Sequence, residues 1–319
     1  GIRDIGVTGV QTCALPICDP HQPGSAAVSR LVVAAAQFAC GTGVEANLAT
    51  AETMVRTAAA RGARFIQLPE LFATRYFCIE QDPAYFALAH ALEDDPSVQL
   101  GRRLARELDV VLPISFFERA GQNFFNTVAM IDAGGELLGR YRKAHIPNGP
   151  GYQEKHYFTP GDTGFKVWST RVGRIGVGIC WDQWFPECAR AMALAGAELL
   201  SYPTAIGSEP PPAAPVDSFG HWQRTQQGHA AANLVPLVAA NRYGREESRQ
   251  NPRELHIDFH GGSFIADASG AIVAQAARAA DDVLCVEFDL DALARTRAAW
   301  GVFRDRRPDL YGALVGFDG

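Results

Sequence analysis

The sequence predicts an α/β layered fold on three observations. Strand-length apolar runs alternate with helix-period segments in the first part of the chain, strands then outnumber helices, and no linker-like break interrupts residues 30–319. The strand surplus is too large for one short sheet, which points to sheet packed on sheet with helices outside. A doubly wound single sheet accounts for the alternation equally well. With 319 residues, 47% of them hydrophobic, the chain can bury a sizeable core.

Residues 31–38 (LVVAAAQF) read as a buried strand. A helix follows over 45–61, with Leu48, Ala51, Val55, Ala58 and Ala59 on one face and Gly62 as its stop. Residues 64–68 form the next strand, 98–108 a helix, 110–117 a strand, and a hairpin runs through Gly134-Gly135 into 137–144. Further strands are expected at 167–180, 199–202, 237–241, 263–266, 272–276 and 284–288, with helices at 186–195 and 219–233. The Pro-rich stretches at 209–215 and around Asn251-Pro252 are short enough to be surface loops. Residues 1–29 stand apart: they have neither period, and the run GIRDIGVTGVQTCALPI resembles translated sequencing-adapter read-through. No basic leader precedes a continuous apolar core there, so a signal peptide is rejected. The expected division is a disordered or non-native segment 1–29 and one catalytic domain 30–319.

Charge and cysteine usage exclude several classes of function. Twenty-nine Lys and Arg against 35 Asp and Glu leave −6, with no basic block to track a nucleic acid. A small-molecule substrate is therefore expected. Seven cysteines without paired spacings argue against a disulfide framework and fit a reducing, cytoplasmic setting. No apolar run approaches the roughly 18 residues of a membrane span. No His-Glu-x-x-His or Cys-x-x-Cys spacing appears, so neither metal nor cofactor is expected.

The segment Arg174-Ile-Gly-Val-Gly-Ile-Cys180 puts Ile175, Val177 and Ile179 on one face and Gly176, Gly178 and Cys180 on the other. One face packs, and the other is expected to let something approach the backbone. Cys180 then ends a strand before a turn, and Pro186 opens a helix, which is where an exposed and activated nucleophile belongs. Most intracellular cysteines are inert buried thiols, and Cys40, Cys78, Cys188 and Cys285 lack such a turn. A thiol nucleophile needs a base. His145, His156, His221, His229, His256 and His260 are available without a local signature that selects one. Glu70, in LPELF at the end of an apolar strand, is a partly desolvated carboxylate that serves as well. Lys143, in YRKAHIP, ends another strand; alone it is an ordinary surface charge.

Together LPELF, YRKAHIP and GICWDQWFPE resemble the nitrilase superfamily, whose Glu, Lys and Cys occur in this order at neighbouring strand ends. The resemblance runs from about Arg30 to Gly319. It implies a four-layer αββα sandwich and a homodimer or higher homo-oligomer with a C-terminal arm reaching over its neighbour. It also implies Glu70 as general base, Cys180 as nucleophile, Lys143 with the Trp181 N–H at the oxyanion, and Glu154 as a second glutamate positioning Lys143 or water. The segments GPGYQEKHYFTPGDTGF, YPTAIGSEP and GVFRDRRPDLY look like a branch that hydrolyses ureido amines. For such a substrate Glu209, on the loop after strand 199–202, is the expected partner of the distal ammonium, with Asp182 and Glu187 as alternatives. Thr74-Arg75 and Gly262 depart from that branch, and a cation at Arg75 near the site would oppose a cationic substrate. Nitrile hydrolases and omega-amidases share the three catalytic residues, so only the pocket separates them.

Overall fold

Alternation along the first strand sets the layering. In β1 (Arg30–Gln37) Val33 and Ala35 face one core while Ala34 and Ala36 face another, all fully buried. The computed structural model describes residues 30–208 and 217–317; the expectations for residues 1–29 and for Glu209 lie outside the described residues. After β1 come α1 (Val44–Ala60), β2 (Phe65–Gln67), α2 (Pro96–Leu108), β3 (Leu112–Ala120), β4 (Asn123–Ile131) and β5 (Leu137–Arg142). Next are α3 (Glu154–Tyr157), β6 (Val167–Thr170), β7 (Gly173–Val177), α4 (Pro186–Leu194), β8 (Leu199–Pro203) and α5 (Phe219–Asn233). The chain continues with β9 (Leu237–Ala240), β10 (Tyr243–Glu247), β11 (His256–His260), β12 (Phe264–Ala266), β13 (Ile272–Gln275), β14 (Asp282–Asp289) and α6 (Leu290–Trp300).

Strands β14-β1-β2 and β3-β4-β5 join through a parallel bridge between Phe65 and Val111. The second sheet runs β13-β12-β9-β8-β7-β6, and β10-β11 form a separate ribbon. Between the sheets lie Leu31, Val33, Val128, Met130, Ile175 and Val238. The outer face of the first sheet packs on Ala51, Val55 and Ala58 of α1 and Val98 and Leu104 of α2. The outer face of the second packs on Cys188 and Met192 of α4 and Trp222 and Ala230 of α5. Helix, sheet, sheet, helix is the four-layer αββα sandwich, and the single-sheet alternative falls away.

Four local features differ from the sequence reading. Residues 167–180 are a hairpin rather than one strand, because Thr170 Oγ1 donates to the Gly173 carbonyl (2.7 Å) and Gly173 takes φ +136° in the turn. The ribbon β10-β11 was not anticipated, since β10 (YGREE) has no apolar alternation although β11 (HIDFH) does, nor was α6, capped by Asp289 accepting from the Ala292 N–H (2.8 Å). The glycine face of β7 is also closed. A Cβ on Gly176 would sit 3.0 Å from Met192 of α4, and one on Gly178, just past the strand, 2.7 Å from the Tyr202 ring of β8 and 3.1 Å from Cys188 Sγ of α4, so what approaches that backbone is the protein's own packing and not a ligand.

Candidate active site

Residues just beyond the ends of β2, β5 and β7 meet at one end of the two sheets. Each strand stops for a local reason. Beyond β2, Leu71 adopts φ +48° and its N–H donates to Ser115 Oγ (3.0 Å). Beyond β5, the Lys143 N–H donates to the Asn126 carbonyl (2.9 Å), and Gly161 lies so close to the Arg142 carbonyl that a Cβ would be 2.1 Å away. Beyond β7, Cys180 opens a 3₁₀ turn, Cys180–Trp184, with φ +43°, a conformation costly for any side chain. Asp182 holds that turn by accepting from the Ile179 N–H (2.9 Å).

The turns bring Glu70, Lys143 and Glu154 into one buried cluster. Lys143 Nζ lies 2.8 Å from Glu70 Oε1 and 2.6 Å from Glu154 Oε2, and all three side chains are fully buried. Asn126 Nδ2 donates to the same Glu70 oxygen (2.7 Å), and the Tyr76 hydroxyl donates to the second Glu154 oxygen (2.6 Å). Glu70 Oε2 is buried and has no hydrogen-bond partner. The Cys180 thiol, 5% exposed, makes only a long contact of 3.8 Å to the Ala205 carbonyl.

Electrostatics assign the resting protonation. Burial pulls the Lys143 ammonium down, but the carboxylates of Glu154 and Glu70 outweigh it and hold it well above the ordinary lysine range. Burial pushes Glu154 up, against the pull of Lys143, to about 7. The Cys180 thiol is raised well above its usual value, by burial first and then by Glu70, with Lys143 opposing. The Cys180 side chain is thus a buried thiol, not the exposed, helix-activated thiolate that strand and turn suggested. For this sulfur to act as a nucleophile, a base would have to take its proton.

Sequence reasoning missed what fixes Glu70. Arg242, fully buried after β9, donates through Nη2 to the carbonyls of Glu70 (2.6 Å) and Leu71 (3.1 Å), and through Nη1 to Glu246 Oε1 (2.9 Å). It therefore clamps the turn that carries the carboxylate. A cation two residues past an all-apolar strand was the available signal.

Cys180 and Glu154 line a cavity of about 510 Å³ with Trp181, Gln183, Trp184 and His221. Asp182 is not on that wall. Its oxygens accept from Tyr141 Oη (2.7 Å), the His145 N–H (3.0 Å) and Ile179 N, so it ties the Cys180 turn to the Lys143 strand. Glu187 is exposed and lines a different cavity with Arg190, Tyr311 and Leu314, out of reach of Cys180. Arg75 donates to the Glu247 carbonyl and presents no cation to the cavity wall. Gly262, at φ +59°, has Phe219 where a Cβ would go. Of the candidate histidines, His221 reaches the cavity, while His145 stacks on Phe185 at 3.6 Å. Among the described residues no group of three or more His, Cys, Asp or Glu is arranged to hold a metal ion.

The carbon-nitrogen hydrolase family model matches residues 32–298. The N-carbamoylputrescine amidase of Oryza sativa subsp. japonica is 55% identical over 296 residues, 93% of this chain and 98% of that protein. The citrullinase of Francisella tularensis is 50% identical over 288 residues, 90% of this chain and 99% of that one. A carbon-nitrogen hydrolase crystal structure from Helicobacter pylori G27 superposes with a TM-score of 0.85 at 36% identity, covering 90% of this chain and 99% of that one.

Proposed function

The chain belongs to the carbon-nitrogen hydrolase family, and from that premise we propose that it hydrolyses N-carbamoylputrescine to putrescine, carbon dioxide and ammonia. The observation that carries the chemistry is the partnerless Glu70 oxygen in a buried cluster with Lys143, beside a protonated thiol that lines the cavity. In this reading Glu70 takes the Cys180 proton as sulfur attacks the carbamoyl carbon. The oxyanion then meets the Lys143 ammonium and the Trp181 N–H. Collapse breaks the bond to the diamine nitrogen, which receives the proton from Glu70 and departs as putrescine. Cys180 is left as a carbamoyl thioester. Glu70 next deprotonates water, the hydroxide adds to the thioester carbon, and the thiolate leaves and is reprotonated. The carbamate released decays to carbon dioxide and ammonia. Glu154, held by Tyr76, keeps Lys143 in place through both halves.

The strong identity to N-carbamoylputrescine amidases supports the substrate, and polyamine formation is the matching role. Further support for a homo-oligomer comes from the C-terminal arm, where Leu310, Leu314 and Val315 are 66%, 65% and 92% exposed. The five described cysteines are all free, which fits a cytoplasmic setting. Ammonia release from N-carbamoylputrescine, citrulline, a simple amide and a nitrile tests the reading. N-carbamoylputrescine should have the highest kcat/KM, and faster release from citrulline, an amide or a nitrile would replace it.

A further inference from the structure

We infer that Asp182 is a positioning residue for the oxyanion site: together with Tyr141 and His145 it keeps the Trp181 N–H in register with Lys143 Nζ. The inference rests on the proposed reaction, in which those two donors meet the same oxygen. They stand on different segments of chain, Lys143 just past β5 and Trp181 on the 3₁₀ turn past β7. Strands β5 and β7 belong to different sheets, so no strand ladder fixes the spacing between the donors. Side chains must fix it, and Asp182 carries both halves of the link. Its Oδ2 accepts from the Ile179 N–H (2.9 Å), at the start of its own turn, and from the Tyr141 hydroxyl (2.7 Å). Its Oδ1 accepts from the His145 N–H (3.0 Å), and His145 Nδ1 lies 2.7 Å from the same oxygen. Tyr141 and His145 flank Lys143 two residues to either side. The His145 ring also lies flat on Phe185, with centroids 3.6 Å apart at 7°, and so grips the turn at its far end.

The turn needs such a hold. Cys180 sits at φ +43°, a strained conformation that persists only where the surroundings over-determine it. With the tie cut, the turn can relax and swing the Trp181 N–H away from the oxygen it serves, while Lys143 stays held by Glu70 and Glu154. Negative charge gathers on that oxygen as sulfur attacks, so the loss falls on kcat and not on KM. Burial, and then the Asp182 charge, raise the Tyr141 hydroxyl well above the ordinary tyrosine range, which keeps it a donor to the carboxylate.

The test compares kcat and KM for N-carbamoylputrescine, per folded molecule, in the wild type, Asp182→Asn, Tyr141→Phe, His145→Phe and the Asp182→Asn/Tyr141→Phe double variant. Asp182→Asn turns an amide NH₂ towards groups that themselves donate. It should lower kcat about 10²-fold with KM within about twofold, the scale of a misplaced oxyanion donor. Tyr141→Phe removes one oxygen, and His145→Phe keeps the stack on Phe185 but loses Nδ1; each should lower kcat about fivefold. The double variant should fall no further than Asp182→Asn alone, because both changes act through one carboxylate. Wild-type kcat in the single variants would overturn the inference while leaving the reaction intact. So would a rise in KM at constant kcat, which would return Asp182 to the substrate. Should Asp182→Asn fail to fold, Tyr141→Phe and His145→Phe decide the matter by the same two outcomes. A wild type that releases no ammonia from N-carbamoylputrescine would remove both the inference and the reading beneath it.

Discussion

Arg142 and Lys143 are consecutive, both are buried, and each is paired with carboxylates, yet the two clusters are built differently. Arg142 donates to both oxygens of Glu118 (2.9 and 2.8 Å) and to both oxygens of Asp162 (2.9 Å each). Thr127 and Arg140 complete Glu118, and Phe125 lies 3.8 Å under the guanidinium. Every acceptor there is used. Across the strand, Lys143 and Asn126 crowd one oxygen of Glu70 and leave the other without a donor. The closed cluster fastens the hairpin. The open one carries an unmet acceptor next to a thiol, and such a deficit in a buried site is the mark of a group kept for chemistry.

Breaking the open cluster at its nucleophile should have the largest effect. Cys180→Ala is expected to lower kcat by about 10⁴-fold or more, with an unchanged circular-dichroism spectrum. Substantial residual turnover would remove the thiol from the mechanism. Breaking the closed cluster should act on stability instead. Glu118→Ala leaves Arg142 buried with half its partners gone, at a cost of about 3–5 kcal/mol in denaturant unfolding, while activity per folded molecule stays near wild type. If activity fell and stability did not, the contrast drawn between the two clusters would be mistaken.

Smaller changes sharpen the comparison. Arg242→Lys keeps the charge but cannot span the carbonyls of Glu70 and Leu71 together, so kcat should fall about tenfold with KM little changed, because small misplacements of a reacting group are costly. A matched rise in KM would assign Arg242 to substrate binding. The slightest effect concerns Glu154 and pH. Its folded value of about 7 lies above the ordinary 4.5, so the stability it adds is present below pH 4.5 and is lost as pH rises through about 7. Glu154→Gln has no such proton to lose. Its melting temperature relative to wild type should therefore climb across that window, and a constant difference would mean that Glu154 does not hold a raised value.

The parts of the site that were legible in the sequence are those written locally. Glu70 and Cys180 follow largely apolar segments and Lys143 a mixed one (LLGRYR), each just before a break, so their placement at strand ends could be read from the residues around them. Arg242, Asn126 and Tyr76 could not, because their roles depend on distant partners: Arg242 meets Glu70 across 172 positions and Asn126 meets it across 56. Asp182 misled for a related reason. Proximity to Cys180 in sequence suggested the cavity, but its carboxylate folds back onto Ile179, Tyr141 and His145. The layer count had the same character. Periodicity recovers most strands, but whether they form one sheet or two rests on packing between residues such as Val33 and Ile175 that no local pattern records.

The seating of Cys180 also bears on oxidative damage. Peroxide and electrophiles attack the thiolate, and they must reach it. Here the sulfur lines a cavity that a small oxidant can enter, and its protection is the proton it keeps, because burial and the neighbouring Glu70 both oppose ionisation. The anion forms only as a carbonyl carbon arrives to receive it. Between turnovers the protein therefore carries a nucleophile that is chemically silent, and it should survive mild peroxide stress that would drive an exposed, low-pKa cysteine to the sulfinic acid.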